Sequence, residues 1–201
     1  MRKSESKTIR TSDLIFIGIY TALYFVLVGV AEMIVVLAIP GYSYSYSPVL
    51  AALITGTIFM LMAAKVPKFG AITIMGSVLG VFFFLSGLFP FALIPSVVSA
   101  LLADIIAYAF RYKSRLGLLL SYIVFSFNTT GPVIQLLFLT DSYVTNLRER
   151  GKDSAYIENV FASISNYTGL IVFVLLIIAA IVGGLFGQRM VKKHFKKAGV
   201  V

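Results

Sequence analysis

The chain has 201 residues, of which 59% are hydrophobic and only 12% charged, with a mean hydropathy of +0.97. Soluble domains carry about a quarter charged residues, so this composition excludes an ordinary soluble domain and points to an integral membrane protein. The absence of cysteine excludes a disulfide framework and a thiolate metal site, and the net charge of +9 is distributed in a way that argues for membrane topology rather than nucleic-acid binding.

A bilayer core needs roughly 20 apolar residues per helix. That ruler predicts an all-α membrane protein with six transmembrane helices, over 12–39, 47–64, 70–88, 90–112, 116–139 and 166–188. Residues 1–11 form a basic N-terminus with Arg2, Lys3, Lys7 and Arg10. The first apolar run is much longer than a signal-peptide core and has no small-residue cleavage site after it, so it reads as a span. It contains Gly18 and Ala22, a small-xxx-small pair that lets another helix approach closely. In its outer half it contains Glu32. An ionisable group in a span is costly and marks function or pairing. Glu32 either faces a wet cavity, pairs with an outer-loop cation, stays protonated, or reaches the interface as a rim residue.

Between the first two spans lies "PGYSYSYSPV", residues 40–49. Strict alternation is a strand signal, but nothing else in the chain offers a partner strand. The expectation is a short extended loop that turns Tyr42, Tyr44 and Tyr46 inward and leaves the serines to water. An interfacial aromatic belt is the alternative. The second span ends at "KVPKF", with Lys65 and Lys68. The third carries Gly76 and Gly80 and ends in a tight "SGLFP" turn. The fourth contains Pro95 and Asp104. Arg111 lies seven residues beyond Asp104 on a similar helical face, so an ion pair near the inner end is the expected role, and contact with a partner protein is the alternative.

The fifth span contains "SFNTTGPVIQ", residues 126–135. Pro132 removes a backbone donor and frees the carbonyl of Asn128, which predicts a kinked or unwound point at mid-membrane. Such breaks are tolerated where they line a cavity or are satisfied by neighbours. Asn128, with Gln135 about one turn further out, is a candidate for polar ligand contacts; a structural kink capped by Thr129 and Thr130 is the alternative. Residues 140–165 form an extracytoplasmic segment with no spanning run. Within it "DSAYIENVFASIS" has caps and helical spacing that predict a short amphipathic helix lying over the bundle, against a solvated connector. Asn166 and Tyr167 open the sixth span, which carries Gly183 and Gly187. Residues 189–201 form a basic tail that includes the single histidine, His194.

If the spans alternate, all cation clusters except Arg148, Arg150 and Lys152 fall on one side. The positive-inside rule then puts both termini in the cytoplasm, with the tail serving topology and lipid headgroups. Glu32, Gln135, Asn166 and Tyr167 fall at similar depth beneath Tyr42, Tyr44 and Tyr46. Convergent polar groups in an apolar, aromatic surround are what a small-molecule site requires. There is no Walker A loop, no metal motif and no nucleophile elbow, so no catalytic residue, metal or cofactor is assigned.

The pattern resembles the S-components of energy-coupling factor (ECF) transporters, the membrane-embedded substrate-binding subunits for micronutrients. More narrowly, "TSDLIFIGIYTALYFVL", "AKVPKFGAITIMGSVLG" and "LLADIIAYAFRYKS" resemble the Trep_Strep group among them. The resemblance covers essentially the whole chain. It implies a prokaryotic plasma-membrane protein that captures a vitamin or related micronutrient outside and delivers it with a transmembrane coupling subunit and two ATPases. It also implies docking through Gly18 and Ala22, where the family commonly has Ala-xxx-Ala, and a gating role for the loop between the first two helices. The tyrosines favour a flat ligand by stacking; a heme-type tetrapyrrole is a second option. A stand-alone secondary transporter coupled through Glu32, and a small membrane enzyme or assembly subunit, are the competing classes.

Overall fold

The computed structural model describes residues 8–39, 43–87, 90–162 and 167–195, and their regular structure is entirely helical. Three helices are long and apolar enough to cross a membrane: α1 (Thr11–Ala38), α5 (Leu93–Ala109) with the 3-10 turn Pro90–Ala92 before it, and α10 (Thr168–Met190), which runs on into a π turn. Two further crossings are made of bent pairs. These are α2 (Ser43–Ile54) with α3 (Gly56–Lys65), bent by 51°, and α6 (Arg115–Phe125) with α7 (Gly131–Phe138), bent by 58° across the 3-10 turn Ser126–Thr129. α4 (Ala71–Leu85) has 15 residues. At 1.5 Å per residue it is roughly three quarters as long as a ~30 Å hydrocarbon core, so three to five spans are shown where six were expected.

Three expectations change. Residues 43–48 are not an extended loop: they open α2, and Ser45 and Ser47 are buried while Tyr46 is half-buried. Pairing with α1 and α10 overrides the alternation, because a helix satisfies its own backbone and an isolated strand does not. The second span bends at Thr55, where the sequence shows no proline. The segment 140–165 holds two helices, α8 (Thr140–Glu149) and α9 (Ser154–Ala162). The second was expected, and its first turn is capped as the sequence suggested, with the Tyr156 N–H donating to Asp153 Oδ1 at 2.8 Å.

The bundle is held by close packing, since lipid supplies no hydrophobic drive between helices. Gly183 and Gly187 of α10 lie against the backbone of α2 and α3 so closely that a Cβ on Gly56 or Gly183 would strike the facing carbonyls. Gly76 and Gly80 of α4 are filled by Ala100 and Ser96 of α5. The main core contains Tyr24, Phe59, Met62, Ile72, Tyr122 and Phe125, and a second, smaller one joins Ala92 and Leu136 to Tyr143 and Leu147 of α8 and Val160 of α9. Large apolar side chains such as Leu37, Leu85, Phe138 and Leu170 point outward, as a lipid-facing surface requires.

Contacts define two different ends. At one, the start of α1, the α3–α4 connection and the α5–α6 connection meet: Lys68 pairs with Asp13 at 2.6 Å. The expected Asp104–Arg111 ion pair is absent among the described residues. Instead the fully buried Asp104 accepts from the Gly70 N–H (2.7 Å), the Thr73 N–H (3.0 Å), the Thr73 hydroxyl (2.9 Å) and the Tyr112 phenol (2.6 Å). A carboxylate at a helix start satisfies orphan donors and opposes the helix dipole, so Asp104 anchors α4 to α5. At the other end, α8 and α9 cover α7 and the turn before α5.

Candidate functional site

The break between α6 and α7 is built as its sequence dictates. Pro132 sits in the first turn of α7, where its missing N–H costs least. The carbonyl it frees, that of Asn128, accepts from Ser96 Oγ at 2.9 Å. Thr129 and Thr130 turn their hydroxyls back onto the carbonyls of Ser126 and Phe127, so these carbonyls are satisfied within the break and that of Asn128 from α5.

The amide side chains are not. Asn128 is buried; its Oδ1 accepts from the Tyr24 phenol at 2.7 Å, while its Nδ2 is buried with no hydrogen-bond partner. Around it stand Gly76, which leaves room for the amide, and Phe125, whose ring meets Tyr24 edge-on at 5.3 Å. One turn before Tyr24 on the same face of α1, Thr21 Oγ1 is also buried without a partner. Gln135 is buried on α7; its Nε2 donates to Ser142 Oγ of α8 at 3.3 Å and its Oε1 has no partner. On α8, Asn146 Nδ2 reaches the Gly87 carbonyl at 2.9 Å, and its Oδ1 is unmatched. Buried polar atoms are nearly always paired, and each lost partner costs about 1–3 kcal/mol. Four such atoms among the described residues, two of them on the broken helix, leave hydrogen-bonding capacity over: a donor at Asn128, acceptors at Gln135 and Asn146, and a hydroxyl at Thr21.

Glu32 is half-buried on α1, and its carboxylate is hydrogen-bonded to the Ser47 side chain of α2. Tyr46 lies next to that pair in sequence. Tyr44 is in α2 and Tyr167 precedes α10, where it is 70% exposed. Tyr42 and Asn166, and the side chain of Tyr44, lie outside the described residues. Gly18 and Ala22 are exposed on the outer face of α1, and a Cβ on Gly18 would meet nothing within 4 Å. The other two small-residue pairs are buried inside the bundle.

The residues missed from sequence are Tyr24, Thr21 and Ser96. A phenol in the middle of an apolar span is a usable signal, because a buried tyrosine hydroxyl needs a partner; which partner it finds is a tertiary fact. Among the described residues no cluster of three or more His, Cys, Asp or Glu side chains could hold a metal ion. Two open cavities, of about 780 and 310 Å³, lie among basic residues at the end away from α8 and α9, and neither is lined by the side chains above.

A family model described as "Hypothetical bacterial integral membrane protein (Trep_Strep)" matches residues 11–197. The chain belongs to that family and is a multi-pass membrane protein. No curated protein and no solved structure matches it.

Proposed function

We propose that this member of the Trep_Strep family is the substrate-capturing S-component of an ECF-type importer, with both termini in the cytoplasm and α4 as a sixth, short crossing. It takes up a vitamin-sized micronutrient from the outer side and passes it on with a coupling subunit and two ATPases. The observation that carries the reading is the set of buried, unpartnered amide atoms on the broken α6–α7 segment beneath α8 and α9. Asn128 Nδ2 offers a donor and Gln135 Oε1 an acceptor, so a ligand with both kinds of polar edge around a flat apolar body fits. Aromatic side chains at the break, Phe125 and Tyr24, suit such a body. Tyr46 and Glu32 at the end of the α1–α2 pair belong to the entrance in this reading, together with Tyr42, Tyr44, Asn166 and Tyr167. Docking to the coupling subunit uses the exposed Gly18–Ala22 face, where small residues permit close helix approach.

Mass spectrometry of small molecules that co-purify with the protein is the first test, and a stoichiometric organic ligand is the expected result. Vesicle uptake is the second. Transport should require a co-expressed ATP-hydrolysing partner. Uptake by the purified chain alone, driven by an ion gradient and lost in Glu32→Gln, would replace this reading with a secondary transporter.

A further inference from the structure

The larger cavity, about 780 Å³, opens where the start of α1, the α3–α4 connection and the α5–α6 connection meet. Four cationic side chains line it, Arg10, Lys65, Lys68 and Arg111, against a single carboxylate, Asp13. That carboxylate is already engaged: Asp13 Oδ2 accepts from Lys68 Nζ at 2.6 Å and from the Arg10 backbone N–H at 2.7 Å. Among the residues that line the cleft, cationic side chains therefore outnumber carboxylates four to one.

Two further features show that the cleft is built. Arg111 and Tyr112 are consecutive non-glycine residues in the left-handed region, with φ of 54° and 55°. That conformation costs roughly 1–2 kcal/mol per residue and persists only where surroundings impose it. Here the Tyr112 phenol, donating to the buried Asp104 at 2.6 Å, pins the turn, and burial together with that bond pushes the phenol above its ordinary pKa. The turn holds Arg111 at the cleft wall. Second, one lip of the cleft is aromatic: Phe69 and Tyr108 meet edge-on at 5.7 Å, both largely exposed. Lys65 lies over the Phe16 ring at 4.8 Å, so its stem runs along the apolar side of α1. Cations above, exposed rings at the end of the spans and a lipid-facing wall below form an interfacial geometry.

We propose that this cleft is a binding site for the phosphate headgroup of an anionic phospholipid. Arg111, Arg10 and Lys65 contact the phosphate, Lys68 reaches it from the Asp13 pair, and Phe69 and Tyr108 lie against the glycerol and upper acyl chain. Arginine suits this task because its planar fork matches phosphate oxygens, and basic pockets between transmembrane helices at the cytoplasmic surface recognise such headgroups. The site is independent of the substrate reading, since none of its residues belongs to the α6–α7 break.

The test is native mass spectrometry of the full chain, exchanged in detergent with equimolar dioleoylphosphatidylglycerol and dioleoylphosphatidylcholine. The wild type should retain phosphatidylglycerol about tenfold over phosphatidylcholine, and Lys65→Gln/Arg111→Gln should lose most of that preference, at about 1 kcal/mol or fivefold per removed charge. The smaller cavity supplies the control. It is lined by Arg115, Arg189 and Lys192, and Arg189→Gln/Lys192→Gln should keep the preference. Equal loss in both double variants would reduce the effect to diffuse charge and overturn the site, as would the absence of any preference in the wild type. Should the first double variant fail to fold, the exposed Arg111→Gln alone should lower retention severalfold, and unchanged retention there counts against the proposal. Two outcomes reassign the cleft. Inorganic phosphate that raises the melting temperature of delipidated protein as much as the lipid does points to a soluble phosphate. Loss of an acidic protein partner in Lys65→Gln/Arg111→Gln, with lipid retention intact, points to a protein surface.

Discussion

The protein contains two bent crossings of similar angle, 51° at Thr55 and 58° at Ser126–Thr130, and they are made in opposite ways. At the first, everything is closed. Thr55 Oγ1 bonds back to the Ala51 carbonyl at 2.8 Å, and Tyr122 Oη donates to the Ala52 carbonyl at 2.6 Å. Side-chain back-bonding of this kind bends helices, and the backbone of α10 fills the concave side at Gly183 and Gly187. At the second, the backbone is closed but side chains on the broken segment are not: Asn128 Nδ2 and Gln135 Oε1 are buried with nothing to bond. The first bend is a packing solution. The second retains polar capacity that folding alone does not use, and a bend kept at that cost is the better place to look for a ligand.

Four substitutions can break or sharpen this contrast. The largest effect is expected at the first bend. Gly183→Ala places a Cβ against the backbone of Ala52 and Leu53, which cannot yield as a side-chain tip can. It should cost about 3 kcal/mol, read as a large fall in melting temperature in detergent; an unchanged melt would mean that backbone contact does not set the bend. Next, Tyr122→Phe removes the partner of the Ala52 carbonyl and should cost about 1–2 kcal/mol while the retained ligand is unaffected. Ligand loss without destabilisation in that variant would erase the distinction between the two bends. Third, Gln135→Leu removes an acceptor that is already unsatisfied together with one long bond to Ser142 at 3.3 Å, so the two changes oppose each other and stability should change by less than about 1 kcal/mol. Retention of the co-purifying ligand should nevertheless drop at least tenfold, roughly one good hydrogen bond. Intact retention would leave the second bend purely structural. The smallest effect on the isolated chain is expected for Gly18→Leu, where open space receives the side chain. Its melting temperature should match the wild type, while co-purification with the coupling subunit that the proposed function calls for should fail. Normal assembly in that variant would remove α1 as the docking face.

The fold was legible where the signal is a local sum. Apolar runs of helix-spanning length mark α1, α5 and α10 within a few residues, and Gly131-Pro132 marks the second break together with the carbonyl it frees. The serine and tyrosine alternation misled, because period-two patterning implies a strand only when another strand can pair with it; here α1 and α10 flank residues that become the first turns of α2. The helix α8 was missed because a ruler of spanning-length apolar runs passes over a short polar segment, although Tyr143, Val144 and Leu147 pack on the smaller core. Asp104 was legible as a buried charge near the basic end but not as a helix anchor, since Thr73 and Gly70, whose backbone N–H groups it accepts from, lie 31 and 34 residues away.

The sequence by itself determined that this chain lives in a membrane, where its long crossings run and that one of them must break at Pro132. Those properties follow from transfer energy and backbone donors counted residue by residue. Only the tertiary structure decided which small-residue stripe faces protein and which is left bare, that Gly183 and Gly187 are filled by another backbone while Gly18 is not, and that Asn128 and Gln135 keep unmatched atoms. A glycine reads the same in either setting, and an amide is satisfied or not only by neighbours brought from elsewhere in the chain.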